Sequence, residues 1–576
     1  MAGSHGRMVF LTVVLLLVVT LFAGRLVYVQ ALRGPSLAEA ARESRLSTVA
    51  LIGTRGQITD RDGVVLATSV ERYDISVNQT QVDEYRGDGT DADPSGALGV
   101  ARRLAPLLGM DVAVLGGQIV GDSGFKYLRK GVLPEVAREI RALGLPCINV
   151  DKVAERAYPN GVNAGNVIGF VNSNGQGLEG LEMSLDDELK GLPGKDVYER
   201  GAKGQPVPGG YSDDEPATTG RSVRLTLDND IQWKAQSLLD AQVDASGASS
   251  GSAVVINVKT GEILALADSD SRDPNNPGDS AGGSLASSIS DVFEPGSTGK
   301  VITMSAVIEA GLVTPTDQWT VPYAYTTDNG QVIHDSHEHG TEKLTTAGVL
   351  AESSNTGTVQ IGSKLTVDQR HAALTAFGFG SKTGVELPGE SSGLLADADD
   401  WDGRTKWNVL FGQGVAVTAL QATQVFATIA NGGVRVQPHI IEGWTDPDGT
   451  YTPAEEAART RVVSEATADT VLSMMESVVD DGTGSNAAIP GYRVAGKTGT
   501  AQNWMHGVQG ITASFIGVVP ADDPQIAVSV ILHEPKSSIY GGTVAAPVFR
   551  DIAAYTLSEL GIAPSGTKAT LYPTTW

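Results

Sequence analysis

Residues 9–23 are apolar apart from Thr12 and Thr20. Carrying the run on through Gly24 to Leu32 adds a single charge, Arg25. A helix needs about 20 such residues to cross a bilayer, and Arg25 lies near enough to one end for its side chain to snorkel to the interface. A cleaved signal peptide is the rival reading. Bulky Leu26, Val27 and Tyr28 stand where a small-x-small cleavage site would be needed. The pattern therefore predicts a tail over residues 1–7, an uncleaved anchor over 8–32 and an aqueous bulk. Local charge leaves the orientation open, because Arg7 precedes the span while Arg33, Arg42 and Arg45 follow it.

The bulk is acidic. The 576 residues carry 42 Lys and Arg against 67 Asp and Glu, a formal charge of −25. That argues against nucleic acid as a partner, since phosphate binding draws on Lys and Arg. With 41% hydrophobic and 19% charged residues the chain is globular rather than wholly disordered. At roughly 150 residues per domain, its length suggests three or four units. Cys147 is the one cysteine, so the chain can form no intramolecular disulfide and no cysteine-based zinc site.

Past the anchor, Leu46–Ile52 reads as a strand. Asp62-Gly63, between Gln57-Ile58-Thr59 and Val64–Ala67, signals a hairpin. Glu135–Leu143 is helical in pattern, and apolar residues at 178, 181, 185 and 189 predict a helix from Leu178 to Leu189. Residues 191–222 are rich in Gly, Pro, Ser and Asp and read as a connector. A second regime starts with the strand at Val223–Asp228, where Asp228 or Asn229 can cap a helix through Val243. Ala253–Asn257 with Glu262–Ala267, and Ala513–Val519 with Ile526–Leu532, form strand pairs at its two ends. The stretch between them is largely helical, which predicts one α+β domain.

Three tetrads fit Ser-x-x-Lys, at 123–126, 297–300 and 565–568. Lys-Thr-Gly occurs at 382–384 and 497–499, and Ser-x-Asn at 76–78 and 353–355. Context separates them. Ser297 follows a Pro-Gly turn and opens a helical run, with Lys300 three residues on along the same face. Desolvation would lower the Lys300 pKa, and a neutral amine could take the proton of Ser297 to make a nucleophile. The helix N-terminus adds a backbone N–H for an oxyanion. Ser123 has no following helix and Ser565 lies in the terminal segment. Ser353-Ser354-Asn355 ends a helical stretch on a turn, where a helix cap is the plainer reading. Lys497-Thr498-Gly499-Thr500 reads as a strand on which Gly499 lets a ligand backbone approach, with Lys497 and the threonines facing a substrate carboxylate. Lys382-Thr383-Gly384 looks like a loop.

Ser297/Lys300, Ser353/Asn355 and Lys497-Thr498-Gly499, in that order, are the trio shared by penicillin-binding proteins and serine β-lactamases. With them come Arg55-Gly-Gln-Ile-Thr-Asp-Arg-Asp-Gly, Arg156-Ala-Tyr-Pro and Gly177-Leu-Glu-Gly-Leu-Glu. Leu225-Thr-Leu-Asp, Phe411-Gly-Gln-Gly, Thr418-Ala-Leu-Gln and Tyr540-Gly-Gly-Thr-Val-Ala-Ala-Pro-Val-Phe follow. On these residues nearly the whole chain resembles the class B penicillin-binding proteins, monofunctional transpeptidases, and Glu294-Pro-Gly-Ser is similar to the division-specific FtsI type of actinobacteria.

The resemblance implies an α+β chain with one transmembrane helix. A mixed, mostly-β pedestal or dimerisation domain would occupy 33–220. A transpeptidase domain would follow over 221–565, with an antiparallel sheet covered by helices on both faces and an all-helical subdomain, and then a tail over 566–576. It implies that Ser297 attacks the penultimate D-Ala carbonyl of a peptidoglycan stem peptide and that an amine of a neighbouring stem resolves the acyl-enzyme. Ser297 and Thr500 would supply the oxyanion N–H groups. Ser353 would relay protons and Asn355 hold the substrate amide, while Lys497, Thr498, Gly499 and Thr500 would face the carboxylate or its β-lactam mimic. No cofactor or metal is implied. Arg7 would lie in the cytoplasm and the catalytic bulk outside. Only 79 residues follow Lys497, too few for the C-terminal PASTA repeats of some relatives. Nothing before the pedestal resembles a glycosyltransferase, so glycan polymerisation would fall to an FtsW-type membrane partner among other division proteins.

Three alternatives remain at this stage: an elongation-type transpeptidase, a β-lactamase or β-lactam sensor, and a non-catalytic division scaffold. No Glu-x-x-Leu-Asn deacylation segment lies between Asn355 and Lys497, and the pedestal favours the transpeptidase. His334, His337 and His339 alternate irregularly in a loop and read as structural or solvated rather than as metal ligands. Trp401 and Trp407 read as packing residues, and Cys147 as a buried hydrophobe.

Overall fold

The apolar N-terminal run is helical in the computed structural model of the chain, which describes residues 2–43, 45–201, 207–278, 285–505 and 508–576. An α-helix over Ala2–Val27 continues as a π-helix over Tyr28–Leu32. It begins inside the expected tail. The segment His5–Ala31 has a hydropathy of 2.5 and is unburied, long enough at about 1.5 Å per residue to span a bilayer core of about 30 Å. The two polar interruptions are self-satisfied. Thr12 and Thr20 donate their hydroxyls to the Met8 and Leu16 carbonyls one turn back, each at 2.8 Å, so neither presents an unpaired donor to lipid.

The chain divides into two units. The first comprises residues 1–54 and 191–220, and it corrects the connector expected over 191–222. Gly194–Glu199 is a strand between Leu46–Leu51 and Ser212–Glu215, antiparallel to both. One ion pair crosses the ladder, Lys195 to Glu215 at 2.9 Å, while Asp196 stands opposite Asp214. A polar strand recruited by a distant partner has no apolar alternation to betray it. Residues 202–206 of that segment lie outside the described residues.

The second unit comprises residues 55–190 and 221–576. Ile58–Thr59 and Val65–Val77 form the expected hairpin. Gly63 takes φ +86° at its turn, and the Asp60 carboxylate accepts the N–H groups of Asp62 and Val64 at 2.9 and 2.7 Å. Val65–Val77 also pairs with Lys126–Val132 and Ile148–Ala157, and the helices Ala97–Leu108, Val112–Ile119 and Pro134–Ala142 close a core on them that buries Cys147. The single helix expected over Leu178–Leu189 is two short ones, Gly180–Ser184 and Asp186–Leu189. Gly180 takes φ +56° against the backbone of Val167–Gly169, which stops a helix starting at Leu178 and leaves that residue exposed. The break turns Glu182 inward. Its carboxylate, fully buried, meets Arg55 Nε at 2.5 Å and Arg156 Nε at 2.7 Å.

The C-terminal region is built on a sheet of five strands: Ser250–Asn257 (β1), Ile263–Asp268 (β2), Ala495–Met505 (β3), Val508–Val519 (β4) and Ile526–His533 (β5). Their order is β2-β1-β5-β4-β3 and every pair is antiparallel. Both faces are covered, so β5 is buried at every position and is apolar apart from Ser529 and His533. Helices Asn229–Ser246, N-capped by Asp228, and Ala546–Glu559 share a core with one face. Helices Ala419–Ala430 and Glu465–Asp480 share a core with the other. The subdomain expected to be all-helical is not: between its helices run two short ladders, Gln318–Val321 with Glu342–Thr345 and Ala324–Thr326 with Val332–His334. The last residues are no loose tail. Thr574 accepts the Thr345 N–H at 3.0 Å, where Gly348 leaves room for it, and the Trp576 indole donates to the Trp319 carbonyl at 3.2 Å.

Candidate active site

Ser297 stands on a 3-10 turn, Gly296–Gly299, that leads into the helix Lys300–Glu309. Two glycines make the turn possible. Gly296, at φ +54°, donates its N–H to the Gly412 carbonyl at 2.8 Å. A Cβ on Gly412 would lie 2.0 Å from the Gly296 oxygen. The turn packs against β3, the edge strand of the sheet, and between them opens a cleft of about 360 Å³ lined by Ser297, Ser353, Asn355, Thr498 and Thr500.

Lys300 and Lys497 are both fully buried beneath the cleft. Lys300 Nζ donates to the Ser353 carbonyl at 2.5 Å and approaches its hydroxyl at 3.3 Å. Lys497 Nζ donates to the same hydroxyl at 2.9 Å and to the Thr498 carbonyl and hydroxyl at 3.2 Å each. Ser353 is thus shared by two amines. Its backbone is left-handed, φ +60°, a conformation that costs a non-glycine residue about 1–3 kcal/mol and is found mainly where function holds it. Burial pulls the Lys300 amine down to about 7, against a smaller opposing pull from Asp335. Burial and then the charge of Lys300 drive Lys497 well below the ordinary lysine range. A neutral amine at Lys300 is a proton acceptor at physiological pH.

Two expectations change here. The direct amine–hydroxyl contact expected between Lys300 and Ser297 does not form. Among the described residues the Ser297 hydroxyl makes no hydrogen bond, because the carbonyl and hydroxyl of Ser353, turned inward by the left-handed backbone, capture Lys300. Gly499 does not line the cleft either. A Cβ there would meet Ser514 Oγ at 2.2 Å, Thr298 Cγ2 at 3.1 Å and the Pro295 carbonyl at 3.2 Å. The glycine lets β3 lie against the Ser297 turn, and ligand approach is not its reason.

The sequence reading missed Asp335. This buried carboxylate accepts from the Ser354 hydroxyl at 2.7 Å, the Thr356 N–H at 3.0 Å and His339 Nε2 at 3.0 Å, and also from the Asn355 N–H. It ties the Ser353–Asn355 turn to the loop after Val332–His334. Ser354 then caps the helix Asn355–Gly362, accepting the Gly357 N–H at 2.9 Å. The Asn355 amide donates to the His334 carbonyl at 3.1 Å. In the local sequence Ile333-His-Asp-Ser-His-Glu-His the histidines stand out, but the aspartate among them is the signal. His339 holds Asp335, His337 lines the cleft, and the His334 ring lies 5.2 Å from that of Tyr323. Among the described residues no group of three His, Cys, Asp or Glu is placed to hold a metal.

The other motif copies fall elsewhere. Ser123 is exposed in a loop, the Ser565 hydroxyl donates to Asp522 at 2.6 Å, and the Thr383 N–H is taken by Glu390 at 2.6 Å. Trp401 and Trp407 are buried, with their indoles bonded to the Ala396 carbonyl and the Asn329 side chain. Tyr540–Thr543, quoted above as a sequence landmark, closes one side of the cleft.

Comparison with known proteins gives two family matches. Residues 251–554 match the penicillin binding protein transpeptidase domain and residues 51–225 the penicillin-binding protein dimerisation domain. The chain is 36% identical over 588 residues to penicillin-binding protein PbpB of Mycolicibacterium smegmatis, covering 96% of this chain and 89% of that protein. It is 34% identical over 566 residues to the peptidoglycan D,D-transpeptidase FtsI of Escherichia coli, covering 96% and 91%. Among solved structures, penicillin binding protein 3 of Mycobacterium tuberculosis complexed with aztreonam superposes with a TM-score of 0.70 at 32% identity, covering 91% of this chain and 100% of that one.

Proposed function

The chain belongs to the class B penicillin-binding proteins, and from that premise we propose that it cross-links peptidoglycan as a D,D-transpeptidase of cell division through a Ser297 acyl-enzyme. The observation that carries the serine mechanism is the pair of buried lysines on one hydroxyl, with Lys300 brought to about 7. In the acylation step Ser297 Oγ bonds to the penultimate D-Ala carbonyl carbon, and its proton passes to neutral Lys300, the hydroxyl coming within reach of the amine once substrate is bound. The N–H groups of Ser297 and Thr500 stabilise the oxyanion. When the C–N bond breaks, Ser353 delivers a proton from the lysine pair to the departing D-Ala amine. Aminolysis by a second stem peptide runs the same route in reverse, with the acceptor amine forming the new C–N bond. Asn355 holds the donor amide, and Thr498 and Thr500 hold the terminal carboxylate over Lys497.

A β-lactam carries the same carboxylate and a strained amide, so it acylates Ser297 and stays. The N-terminal helix anchors the chain in the cell membrane, with its N-terminus cytoplasmic and the catalytic region outside, where the substrate lies. In this reading an FtsW-type membrane glycosyltransferase in a division complex polymerises the glycan that this chain cross-links.

The test is intact mass of the full-length chain in detergent after benzylpenicillin, followed over hours beside Ser297→Ala. A persistent adduct on the wild type and none on the variant is the expected result. Rapid loss of the adduct with hydrolysed drug accumulating would make the protein a β-lactamase, and no adduct on folded wild type would leave a scaffold.

A further inference from the structure

Two substrates must enter the cleft, and the residues assigned so far handle only the donor. We infer that the Glu352 carboxylate is a specificity residue for the acceptor: it draws the amine-bearing stem peptide, as its ammonium form, to the leaving-group end of the cleft. The inference rests on the transpeptidase reading above and adds to it the group that selects the second substrate.

Glu352 closes the helix Thr346–Ala351 and immediately precedes Ser353. It lines the cleft and is exposed to it. Among the described residues its carboxylate makes no hydrogen bond or ion pair. An exposed surface glutamate without partners needs no explanation, but this one stands in a catalytic cleft beside the shared serine.

Its place along the cleft follows from its neighbour. The Ala351 carbonyl accepts the Thr483 N–H at 3.3 Å and lies 3.4 Å from the Thr483 hydroxyl. That hydroxyl is 2.9 Å from Thr498 Oγ1. Glu352 therefore sits at the Thr498 end of the edge strand, where the terminal carboxylate of the donor is assigned. The departing D-alanine vacates that end. Because aminolysis retraces acylation, the acceptor nitrogen must enter through the same vacated space.

Glu342 and Asp481 lie near enough to act on Glu352: desolvation by the cleft walls and then these two carboxylates push its carboxyl up, while His337 and Lys497 pull it the other way. Lys497 lies buried beneath the cleft and is driven well below the ordinary lysine range, so Glu352 is the carboxylate among the lining residues that an incoming ligand meets. A negative rim attracts an ammonium and repels a carboxylate. Glu352 thus acts with opposite sign on the two half-reactions: it opposes the anionic donor and favours the cationic acceptor. A residue that merely supported the Ser353 turn would act on both with the same sign, and this difference makes the inference testable.

The experiment compares wild type, Glu352→Gln and Glu352→Asp, each as the full-length chain in detergent. The acylation rate constant with benzylpenicillin reports the donor step. Transfer from a thioester donor to glycinamide, a cationic amine without a carboxylate, reports the acceptor step. For Glu352→Gln, acylation should rise about threefold and the KM for glycinamide should rise at least as much, since one charge at ~6 Å in water-like surroundings is worth about that factor. Glu352→Asp should restore most of the glycinamide KM, and added salt should shrink both effects in the wild type. Acylation and transfer falling together in Glu352→Gln would show a structural role and overturn the inference, as would an unchanged glycinamide KM. Wild type that takes no penicillin at all would instead overturn the transpeptidase reading beneath it.

Discussion

Two buried groups of charged side chains in the second unit are built on opposite terms. In the pedestal portion, Glu182 stands between Arg55 and Arg156, with Asp186 on the far side of Arg55 at 2.7 Å. Arg156 also donates to the Gly56 carbonyl at 2.7 Å. Each charge there meets an opposite charge, and the side chains come from three separated stretches, so the cluster fastens the fold. In the catalytic portion, Lys300 and Lys497 are buried without a carboxylate in ion-pair range among the described residues. Neutral oxygens of Ser353 and Thr498 are what they touch. A buried charge that is paired stays charged and holds structure, whereas one that is unpaired shifts its pKa and becomes reactive. The same protein uses burial for both ends, and the partner decides which.

The contrast breaks most visibly at Lys300. Lys300→Met keeps the volume and removes the amine, and benzylpenicillin acylation should fall roughly 10³-fold while the unfolding midpoint holds or rises. A variant that lost stability in step with activity would place Lys300 with the structural cluster. Glu182→Ala should do the reverse. It leaves two buried guanidinium groups facing each other, at a cost of about 3–5 kcal/mol in denaturant unfolding, while whatever remains folded acylates at the normal rate.

The pH dependence sharpens the comparison. With Lys300 at about 7 in the folded chain, acylation should climb with pH through that value and then level off. Between about 7 and the ordinary lysine range near 10.4, the unfolded chain holds a proton that the folded chain does not, so raising the pH favours folding. Below that window both states are protonated and this contribution is flat. Lys300→Met should therefore be the more stable protein near neutrality, with its lead shrinking as the solution becomes alkaline. A lead that stays constant would mean that Lys300 titrates normally. The smallest effect falls at Ser353. Ser353→Gly relieves the left-handed backbone, and thermal unfolding should show a gain of about 1 kcal/mol, in a protein whose acylation has dropped roughly 10²-fold.

Much of this was legible in local sequence. Apolar length marked the anchor, Asp62-Gly63 the hairpin, Asp228 or Asn229 the helix cap that Asp228 provides, and motif order with local context separated Ser297, Lys300, Ser353, Asn355 and Lys497 from their duplicates. The failures share a cause. The strand Gly194–Glu199 is held by partners far along the chain, and the break at Gly180 is set by backbone packed against it. Asp335 looked like one more polar residue in a loop until the turn it organises folded over it. Gly499 was assigned to ligand approach because sequence shows that a side chain is missing but not what occupies its place.

The sequence by itself determined the apolar N-terminal helix, the alternation of elements and the candidate site motifs, since these depend on residues within a few positions of one another. Only the tertiary structure decided that Lys300 and Lys497 share Ser353, reaching it across 53 and 144 positions, and that neither amine meets a carboxylate. The pKa of a lysine is set by the water it loses and the charges that replace it, and those are properties of neighbours in space.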